Sequence, residues 1–253
     1  TDPMTRPTAN DASIAQRYLL PAIMVLAVAT IVGAAFSSRS PDLSLMPESA
    51  GRPVTLADGS VLYVQKYEVT VADWNKCNKA GACSLALRVN GGHAEAEIPA
   101  TGLSFTDVFE YITWINATTR MEFRLPTLAE WEYMAAEVLP PVPDPIFTDP
   151  ELTWASAYLM EPQTKRTLRP RGTFETTAEG IVDLNGSVWE WTQDCYAGAD
   201  SSPTGDGYCP AYFVGGEHIA AVPFLVRDPA RGGCAVGTPP AHLGMRLVSE
   251  QIF

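Results

Sequence analysis

The stretch GIVDLNGSVWEWTQDC, Gly180–Cys195, has a pattern that neither a regular helix nor a regular strand explains. Gly186 lies in a short polar turn, which leads directly into two tryptophans that flank a glutamate. Glycine adopts backbone conformations that other residues avoid, so we expect a sharp change of direction there. Trp189 and Trp191 would bury their rings in the core, on the side opposite to Glu190. The stretch therefore predicts a tight turn followed by a buried, tryptophan-rich segment.

The composition is that of a globular protein with a substantial core. The chain has 253 residues, of which 46% are hydrophobic and 18% are charged. Its formal net charge of −12 argues against binding of nucleic acid or anionic lipid through a basic face. Such binding needs clustered lysine and arginine to contact phosphates. Cationic partners or divalent metals suit this charge better.

An apolar segment near the N-terminus predicts a membrane anchor. Residues 18–36, YLLPAIMVLAVATIVGAAF, carry no charge, and their number is sufficient for a helix that crosses a bilayer core of about 30 Å. Arg6 and Arg17 precede this segment, so the positive-inside tendency places residues 1–17 in the cytoplasm. Residues 1–3 precede Met4 and are interpreted as a cloning remnant. A cleaved signal peptide is the alternative, because the segment contains several small residues.

The anchor predicts how the rest of the chain is organised. Residues 37–53 are rich in serine and proline and short of large apolar side chains, which is typical of a linker. Residues 54–253 would form a single domain. We therefore expect a single-pass protein of the bacterial inner membrane with its C-terminal domain in the periplasm.

Five cysteines in an exported chain predict disulfides, because oxidising compartments preserve them. Cys77 and Cys83 flank one short loop, and Cys195 and Cys209 flank a second loop rich in glycine and serine. Both pairs are expected to form local bridges. Cys234 is left over, and a small thiol in a glycine turn is expected to be inert packing.

Local patterns predict a hairpin and two helices in this domain. The hairpin turns at the Asp58-Gly59 pair, between alternating apolar and polar residues. The first helix begins at Ser104 or Thr106, either of which could cap it.

The second helix is predicted to begin at Thr127, because Glu130 follows three residues later and completes a capping box. We expect Pro140 to end it. Residues 140–180 are weakly periodic and punctuated by proline, so they predict long loops with short strands.

Three blocks in a fixed order carry a family resemblance. They are FRLPTLAEWEYMAA (Phe123–Ala136), GIVDLNGSVWEWTQDC, and the final ARGGC and HLGMRL segments between Ala230 and Leu247. In this order they resemble the motifs of the formylglycine-generating enzyme, or sulfatase-modifying factor, family. The resemblance implies an irregular, loop-rich α+β fold of the C-type-lectin-like kind, often with bound calcium.

The resemblance also implies a calcium site in the opening stretch. Relatives wrap the ion with main-chain carbonyls and one glutamate, which here would be the carbonyls of Asp183, Gly186 and Val188 and the carboxylate of Glu190. Calcium prefers hard oxygen ligands, which suits these groups. The alternative is that Glu190 pairs with an arginine, either Arg231 or Arg246. Arg124, Glu130 and Glu132 are expected to form ion pairs and caps of the scaffold.

The copper chemistry of the family does not carry over in the same way. Relatives bind monovalent copper with two neighbouring cysteines between their last two motifs, because thiolates suit this soft ion. Here that interval, Cys234–Leu243, holds one cysteine. A copper site made from Cys234 and His242 is a further possibility. Motifs for nucleotide binding, serine hydrolysis and zinc proteolysis are absent from the sequence.

These observations lead to a non-catalytic interpretation. We expect a membrane-anchored periplasmic accessory protein that supports assembly or maturation of a partner enzyme or membrane complex. Its partners would be another periplasmic or membrane protein and the inner membrane. One alternative is a divergent oxidoreductase of the formylglycine-generating type that modifies a protein cysteine with copper. Another is a lectin-like module that binds glycans through the loops of residues 140–180.

Overall fold

The helices begin where hydroxyl side chains cap them. The caps are Thr70, Ser104 and Thr127, and the helices are α1 Val71–Lys79, α2 Phe105–Thr119 and α3 Leu128–Ala135. Two predicted helix starts are confirmed: Ser104 caps α2, and Thr127 with Glu130 forms the capping box of α3. Helix α3 ends at Ala135, earlier than the predicted stop at Pro140. The backbone forms turns there, because N–H groups of the following residues donate to the carbonyl of Ala135.

The structure is a computed structural model that describes residues 40–89, 91–140, 167–196, 209–229 and 240–253. Residues 42–253 cluster as one unit. The predicted membrane segment, Cys234 and most of the loop region between residues 140 and 180 lie outside the described residues. Within the described ranges, no helix is both long enough and apolar enough to span a membrane.

Among the described residues, seven short strands form two sheets. The strands are β1 Val54–Thr55, β2 Val61–Val64, β3 Trp189–Tyr196, β4 Ala211–Gly215, β5 Ala220–Pro223, β6 Leu243–Gly244 and β7 Val248–Ser249. The smaller sheet has the order β1-β2-β7, and its β1-β2 hairpin turns at the predicted Asp58-Gly59 pair. The larger sheet has the order β5-β4-β3-β6, in which β3 and β6 run parallel. The mixed, loop-rich fold agrees with the α+β prediction.

The core divides into two clusters of buried side chains. The larger cluster contains Trp74, Trp189 and Trp191 and lies against helix α2. Within it the rings of Trp74 and Tyr111 stack with their centroids 5.5 Å apart. The smaller cluster is centred on Trp131 of α3 and the first sheet. Aromatic rings thus supply much of the apolar area that a fold with little regular structure has to bury.

The packed region begins before the predicted domain boundary at residue 54. A 3₁₀ turn at Leu43–Leu45 is capped by Asp42, whose N–H donates to the carbonyl of Thr118. Ala50 is buried, and its N–H donates to the carbonyl of Val64. Backbone hydrogen bonds therefore hold residues 42–53 against the domain, where serine and proline content alone predicts a free linker.

Candidate functional site

The opening stretch forms the tight turn that its glycine predicts. Asp183 has a φ of +68°, and the N–H of Gly186 donates to the Asp183 carbonyl at 2.8 Å. A Cβ at Gly186 would lie 2.7 Å from that oxygen, so a side chain is sterically excluded. The Asp183 carboxylate accepts the N–H groups of Gly172 and Phe174. This residue therefore holds the preceding loop against the turn.

Glu190 is the second residue of strand β3 and is 1% exposed. Its Oε1 accepts from Nη2 and Nε of Arg246 at 2.8 and 3.0 Å. Its Oε2 accepts from the indole N–H of Trp131 at 2.9 Å. A charge buried this deeply is tolerated only with such partners, since desolvation otherwise costs several kcal/mol. The ion pair with Arg246 is the alternative that the sequence analysis raised for Glu190.

Arg246 is completely buried and uses all of its donors. Besides Glu190, it donates to the main-chain carbonyls of Gln65, Lys66 and Val182 at 3.0, 2.6 and 2.8 Å. A guanidinium group has five N–H donors in a rigid plane, which suits it to this role. It joins strand β3, the end of β2 and the tight turn into one hydrogen-bonded unit.

A third buried acid, Glu68, lies beside this pair. Its Oε2 is 3.7 Å from Nη2 of Arg246 and has no hydrogen-bond partner. Burial raises the pKa of Glu68 from an ordinary 4.5 to about 8. Arg246 opposes that shift, whereas the neighbouring charges of Glu190 and Asp183 add to it. One arginine cannot neutralise three carboxylates, so the raised pKa keeps Glu68 protonated at neutral pH.

Two of the predicted calcium ligands, the Glu190 carboxylate and the Asp183 carbonyl, already accept hydrogen bonds within the protein. Both oxygens of Glu190 accept hydrogen bonds from a cation and an indole, and the Asp183 carbonyl accepts the Gly186 N–H. Calcium needs six to eight oxygen ligands, whereas Arg246 already supplies the positive charge here. Among the described residues, no group of three or more His, Cys, Asp or Glu is placed to hold a metal. Calcium stays a prediction, and no step of the function below depends on it.

Trp189 of β3 and Trp131 of α3 require glycines at the end of strand β4. A Cβ at Gly216 would lie 2.4 Å from the ring of Trp189, and one at Gly215 would lie 2.2 Å from the ring of Trp131. The indole N–H of Trp191 donates to the carbonyl of Leu103 at 2.8 Å. The Gly215-Gly216 pair therefore lets two indoles pack directly against the backbone. Sequence analysis missed this role, because its signal is a glycine pair far from the tryptophans.

Both predicted disulfides are present. Cys77 and Cys83 bridge the end of α1 to the following loop, and Cys195 and Cys209 bridge β3 to the residues before β4. Four of the five cysteines are therefore committed to bridges. The fifth, Cys234, lies outside the described residues.

His242, the second residue of the possible copper site, lies within the described residues. Its carbonyl accepts the N–H of Trp189 at 2.8 Å, next to the parallel pairing of β3 with β6. The scaffold role of Arg124 agrees with its contacts, because it pairs with both oxygens of Glu130 at 2.7 and 2.8 Å. This pair joins the cap of α3 to the bridge between Arg124 and Val248.

Comparison with known proteins identifies relatives of this chain. Residues 26–251 match the model of the sulfatase-modifying factor enzyme 1-like domain. This match begins inside the predicted membrane segment, residues 18–36. A formylglycine-generating enzyme of Mycobacterium tuberculosis is 24% identical over 190 residues, which are 61% of this chain and 58% of that protein. The chain thus aligns with less than two thirds of that relative's length.

One solved structure shows the same fold. PvdO from Pseudomonas aeruginosa is 19% identical and superimposes with a TM-score of 0.51, covering 81% of this chain and 93% of that one. Variable protein 1 of Treponema denticola is 14% identical, with a TM-score of 0.48 and coverages of 81% and 94%.

Proposed function

Because this chain belongs to the family of sulfatase-modifying factor enzyme 1-like domains, we propose that it is a non-catalytic member that works as a binding and accessory protein. The single observation that carries this proposal is that four of its five cysteines are tied up in disulfides. Fold alone does not fix function, so the chemistry of the cysteines has to support the proposal.

The copper centre implied by the family resemblance needs two neighbouring thiolates. Cys77 pairs with Cys83 and Cys195 pairs with Cys209, so none of these four sulfurs is a free thiolate. Cys234 is the remaining cysteine of the sequence. One thiolate per chain cannot provide the two-sulfur coordination that holds monovalent copper, which supports the loss of the oxidase activity.

The contacts of the tryptophan-flanked glutamate also support a structural role for this region. Glu190 and Arg246 are buried and satisfy each other, and Arg246 has no donor left for a substrate. A general acid or base has to reach the proton that it transfers, and these groups lie inside the core. The region therefore stabilises the domain and leaves its surface free for binding.

The proposed setting is the periplasmic face of a bacterial inner membrane. Residues 18–36 would anchor the chain, and the domain would support assembly or maturation of a partner enzyme or membrane complex. The net charge of −12 favours a partner with a basic surface over an acidic one. The disulfides suit an oxidising compartment such as the periplasm.

A copper titration tests the loss of the oxidase activity. The purified chain, reduced with a mild agent that spares disulfides, is titrated with monovalent copper against a chromogenic chelator, beside the Cys234→Ser variant. We expect no stoichiometric high-affinity copper in either protein and no oxygen-dependent oxidation of a cysteine-containing peptide. One copper per chain that disappears in Cys234→Ser, together with peptide oxidation, would overturn the proposal.

Two specific observations favour the alternative that the protein is an oxidase. The Mycobacterium tuberculosis relative is named a formylglycine-generating enzyme, and Cys234 is eight residues from His242 in this sequence. A sulfur and an imidazole could together ligate copper. The alternative predicts that both Cys234→Ser and His242→Ala abolish copper uptake, whereas our proposal predicts no copper to lose.

A second experiment tests the accessory role in the membrane. The full chain is expressed with an affinity tag, cross-linked in intact cells and purified from detergent-solubilised membranes. A matched chain in which residues 54–253 are replaced by an unrelated exported domain is the control. We expect a defined partner enzyme or complex subunit with the complete chain alone. Identical partners with both chains would contradict a binding role for the domain.

A further inference from the structure

A cavity of about 300 Å³ lies beside the first turn of α1, away from the buried acid cluster. Val71, Ile98 and Pro99 are buried residues that line it, so its inner part is apolar. Arg88 and His93 are exposed residues that line its outer part. This volume is at the lower end of the range for ligand pockets, which is enough for one large apolar group. An apolar interior with a cationic edge is suited to a ligand that is apolar at one end and anionic at the other.

The segment before this cavity is held in place by side chains of the helices. The indole N–H of Trp74 donates to the carbonyl of Leu85 at 2.8 Å, and the amide of Asn75 bonds both the N–H and the carbonyl of Leu87 at 3.1 Å. The carboxylate of Glu110 accepts the N–H of Ser84 at 2.8 Å. Because Trp74 and Asn75 are buried, the residues that follow Leu87 start from a fixed position.

The next two residues, Arg88 and Val89, line the cavity. In the described ranges, neither residue makes a main-chain hydrogen bond, and the Arg88 guanidinium forms no ion pair or hydrogen bond. Two consecutive residues without main-chain hydrogen bonds among the described residues, one of them with a free guanidinium, thus line one cavity.

This combination is the chemistry that captures a carboxylate. Main-chain N–H groups and an arginine fork donate charge-assisted hydrogen bonds to its two oxygens. Capture of a terminal carboxylate by backbone donors beside an apolar pocket is a known mode of peptide recognition. From this geometry we propose that the cavity binds the C-terminal residue of a partner polypeptide, with its carboxylate at Arg88 and its apolar side chain inside.

Charge limits the ligand to a single anionic group. His93 lies 3.9 Å from Glu97, and Glu95 is exposed nearby in the chain, so this side of the cavity repels further negative charge. The position before the C-terminal residue is therefore neutral or basic. A run of acidic residues does not fit, which distinguishes this ligand from a generic acidic peptide.

The site also lies close to the tight turn of the buried cluster. Thr101 lines the cavity, and its Cγ2 is 4.0 Å from the place of a Cβ at Gly244, which in turn would meet Val188. A bound C-terminus would thus contact the same framework that Arg246 holds together. The proposed peptide site deepens the proposed binding role, because it names the chemistry of the partner. It rests on the proposed function only in taking the partner to be a protein.

Peptide binding tests the proposal directly. Fluorescein-labelled pentapeptides of the form Gly-Ser-Gly-Ser-X, with X as Leu, Val, Phe or Met, are titrated with the full chain in detergent at low ionic strength and followed by fluorescence anisotropy. We expect saturable binding for at least one free acid. Replacing its terminal carboxylate by an amide is expected to weaken binding about tenfold or more, since a charge-assisted contact is lost.

Matched variants locate the binding to this cavity. Arg88→Gln is expected to weaken binding of the free-acid peptide about tenfold and to leave binding of the amide peptide unchanged. Arg88→Lys is expected to retain part of the affinity for the free acid. Lys79→Gln removes an exposed cation that does not line the cavity and is expected to have no effect. Both positions are exposed, so equal melting temperatures would show that folding is intact.

The proposal would be overturned by any of three results: no saturable binding of the four free acids up to about 1 mM, equal binding of acid and amide, or unchanged binding in Arg88→Gln. These results do not depend on the copper and thiol measurements. A failed peptide titration would therefore leave the proposed function standing, and a failed thiol count would leave the peptide site standing.

Discussion

Glu190 and Arg246 form a buried ion pair beside the tight turn. Their side chains are 1% and 0% exposed, so removing either partner leaves a buried charge without compensation. Arg246 also satisfies three main-chain carbonyls that come from different parts of the sequence. At the scale of single residues, this pair links the end of β2, the turn and β3.

The pair predicts strong non-additivity in a mutant cycle. Glu190→Gln and Arg246→Met are each expected to destabilise the protein by about 3–5 kcal/mol, because each strands a buried charge. In a domain of this size, such a loss lowers the melting temperature by about 10 °C. The double variant is expected to lose much less than the sum. Urea unfolding measures the three values, and simple additivity would contradict the ion pair.

Removal of divalent metal tests the same site in another way. Since Arg246 supplies the positive charge beside Glu190, we expect EDTA to leave the melting temperature unchanged. A ligand that binds only the folded state would raise that temperature. A fall of several degrees with EDTA that added calcium restores would show that the predicted calcium site exists.

Glu68 predicts a specific dependence of stability on pH. Its pKa is about 8 in the folded protein and near 4.5 when exposed in the unfolded chain. Below about pH 4.5 both states hold the proton, so the contribution to stability is complete. Between pH 4.5 and 8 the unfolded chain releases the proton first, so this contribution falls as pH rises.

Glu68→Gln keeps the side chain neutral and removes this dependence. We expect the variant to gain stability relative to the parent protein as pH rises from 5 to 8.5, as measured by urea midpoints at both pH values. The exposed Glu95→Gln is the matched control. A difference between variant and parent that does not grow with pH would show that Glu68 is ionised in the folded state.

The elements of secondary structure depend on local caps. Ser104 accepts the N–H of Asp107 and donates to its carboxylate at 2.6 Å, and Arg227 pairs with the same carboxylate at 2.6 and 2.7 Å. Burial opposes ionisation of Asp107, but these hydrogen bonds outweigh it and lower its pKa. The start of α2 is thereby joined to the chain that follows β5.

Ser104→Ala is expected to cost about 1 kcal/mol, because it removes the cap of α2. Thr106→Ala, at an exposed position two residues later, is the control and is expected to have little effect. Thermal unfolding of the two variants measures the difference. Equal losses would mean that the cap contributes nothing beyond any first-turn hydroxyl.

The caps and the hairpin were predictable from the sequence, because each depends on residues within about six positions. Thr127 and Glu130 identify the start of α3 by themselves, and Asp58-Gly59 identifies the turn of β1-β2. The pairing of β3 with β6 joins Trp189 to Leu243. A contact between residues so far apart in the sequence cannot be predicted from local patterns. The strand-like FRL segment forms only a bridge from Arg124 to Val248.

The candidate site was predictable only in part. The glycine turn, the burial of both tryptophans and the possible pairing of Glu190 with Arg246 follow from the opening stretch. Its calcium ligands came from the family resemblance, and the hydrogen bonds of Arg246 show why the carboxylate is committed elsewhere. Glu68 was not singled out, because its raised pKa depends on burial among distant charges.

At the scale of the whole molecule, the protein combines the fold of its family with two disulfides. The family match covers residues 26–251, and the described residues form the mixed fold that the motifs predict. The two disulfides join α1 to the loop after it and β3 to the residues before β4. Bridges of this kind typically contribute about 2–4 kcal/mol, so they stabilise a fold that has little regular structure.

The number of free thiols tests the central claim most directly. The protein is denatured without reductant, alkylated and weighed by mass spectrometry, and the measurement is repeated after full reduction. We predict one alkyl group per chain before reduction and five after it, with peptide mapping assigning the single group to Cys234. Three or more alkyl groups before reduction, with a pair of free thiols able to bind copper, would contradict the account.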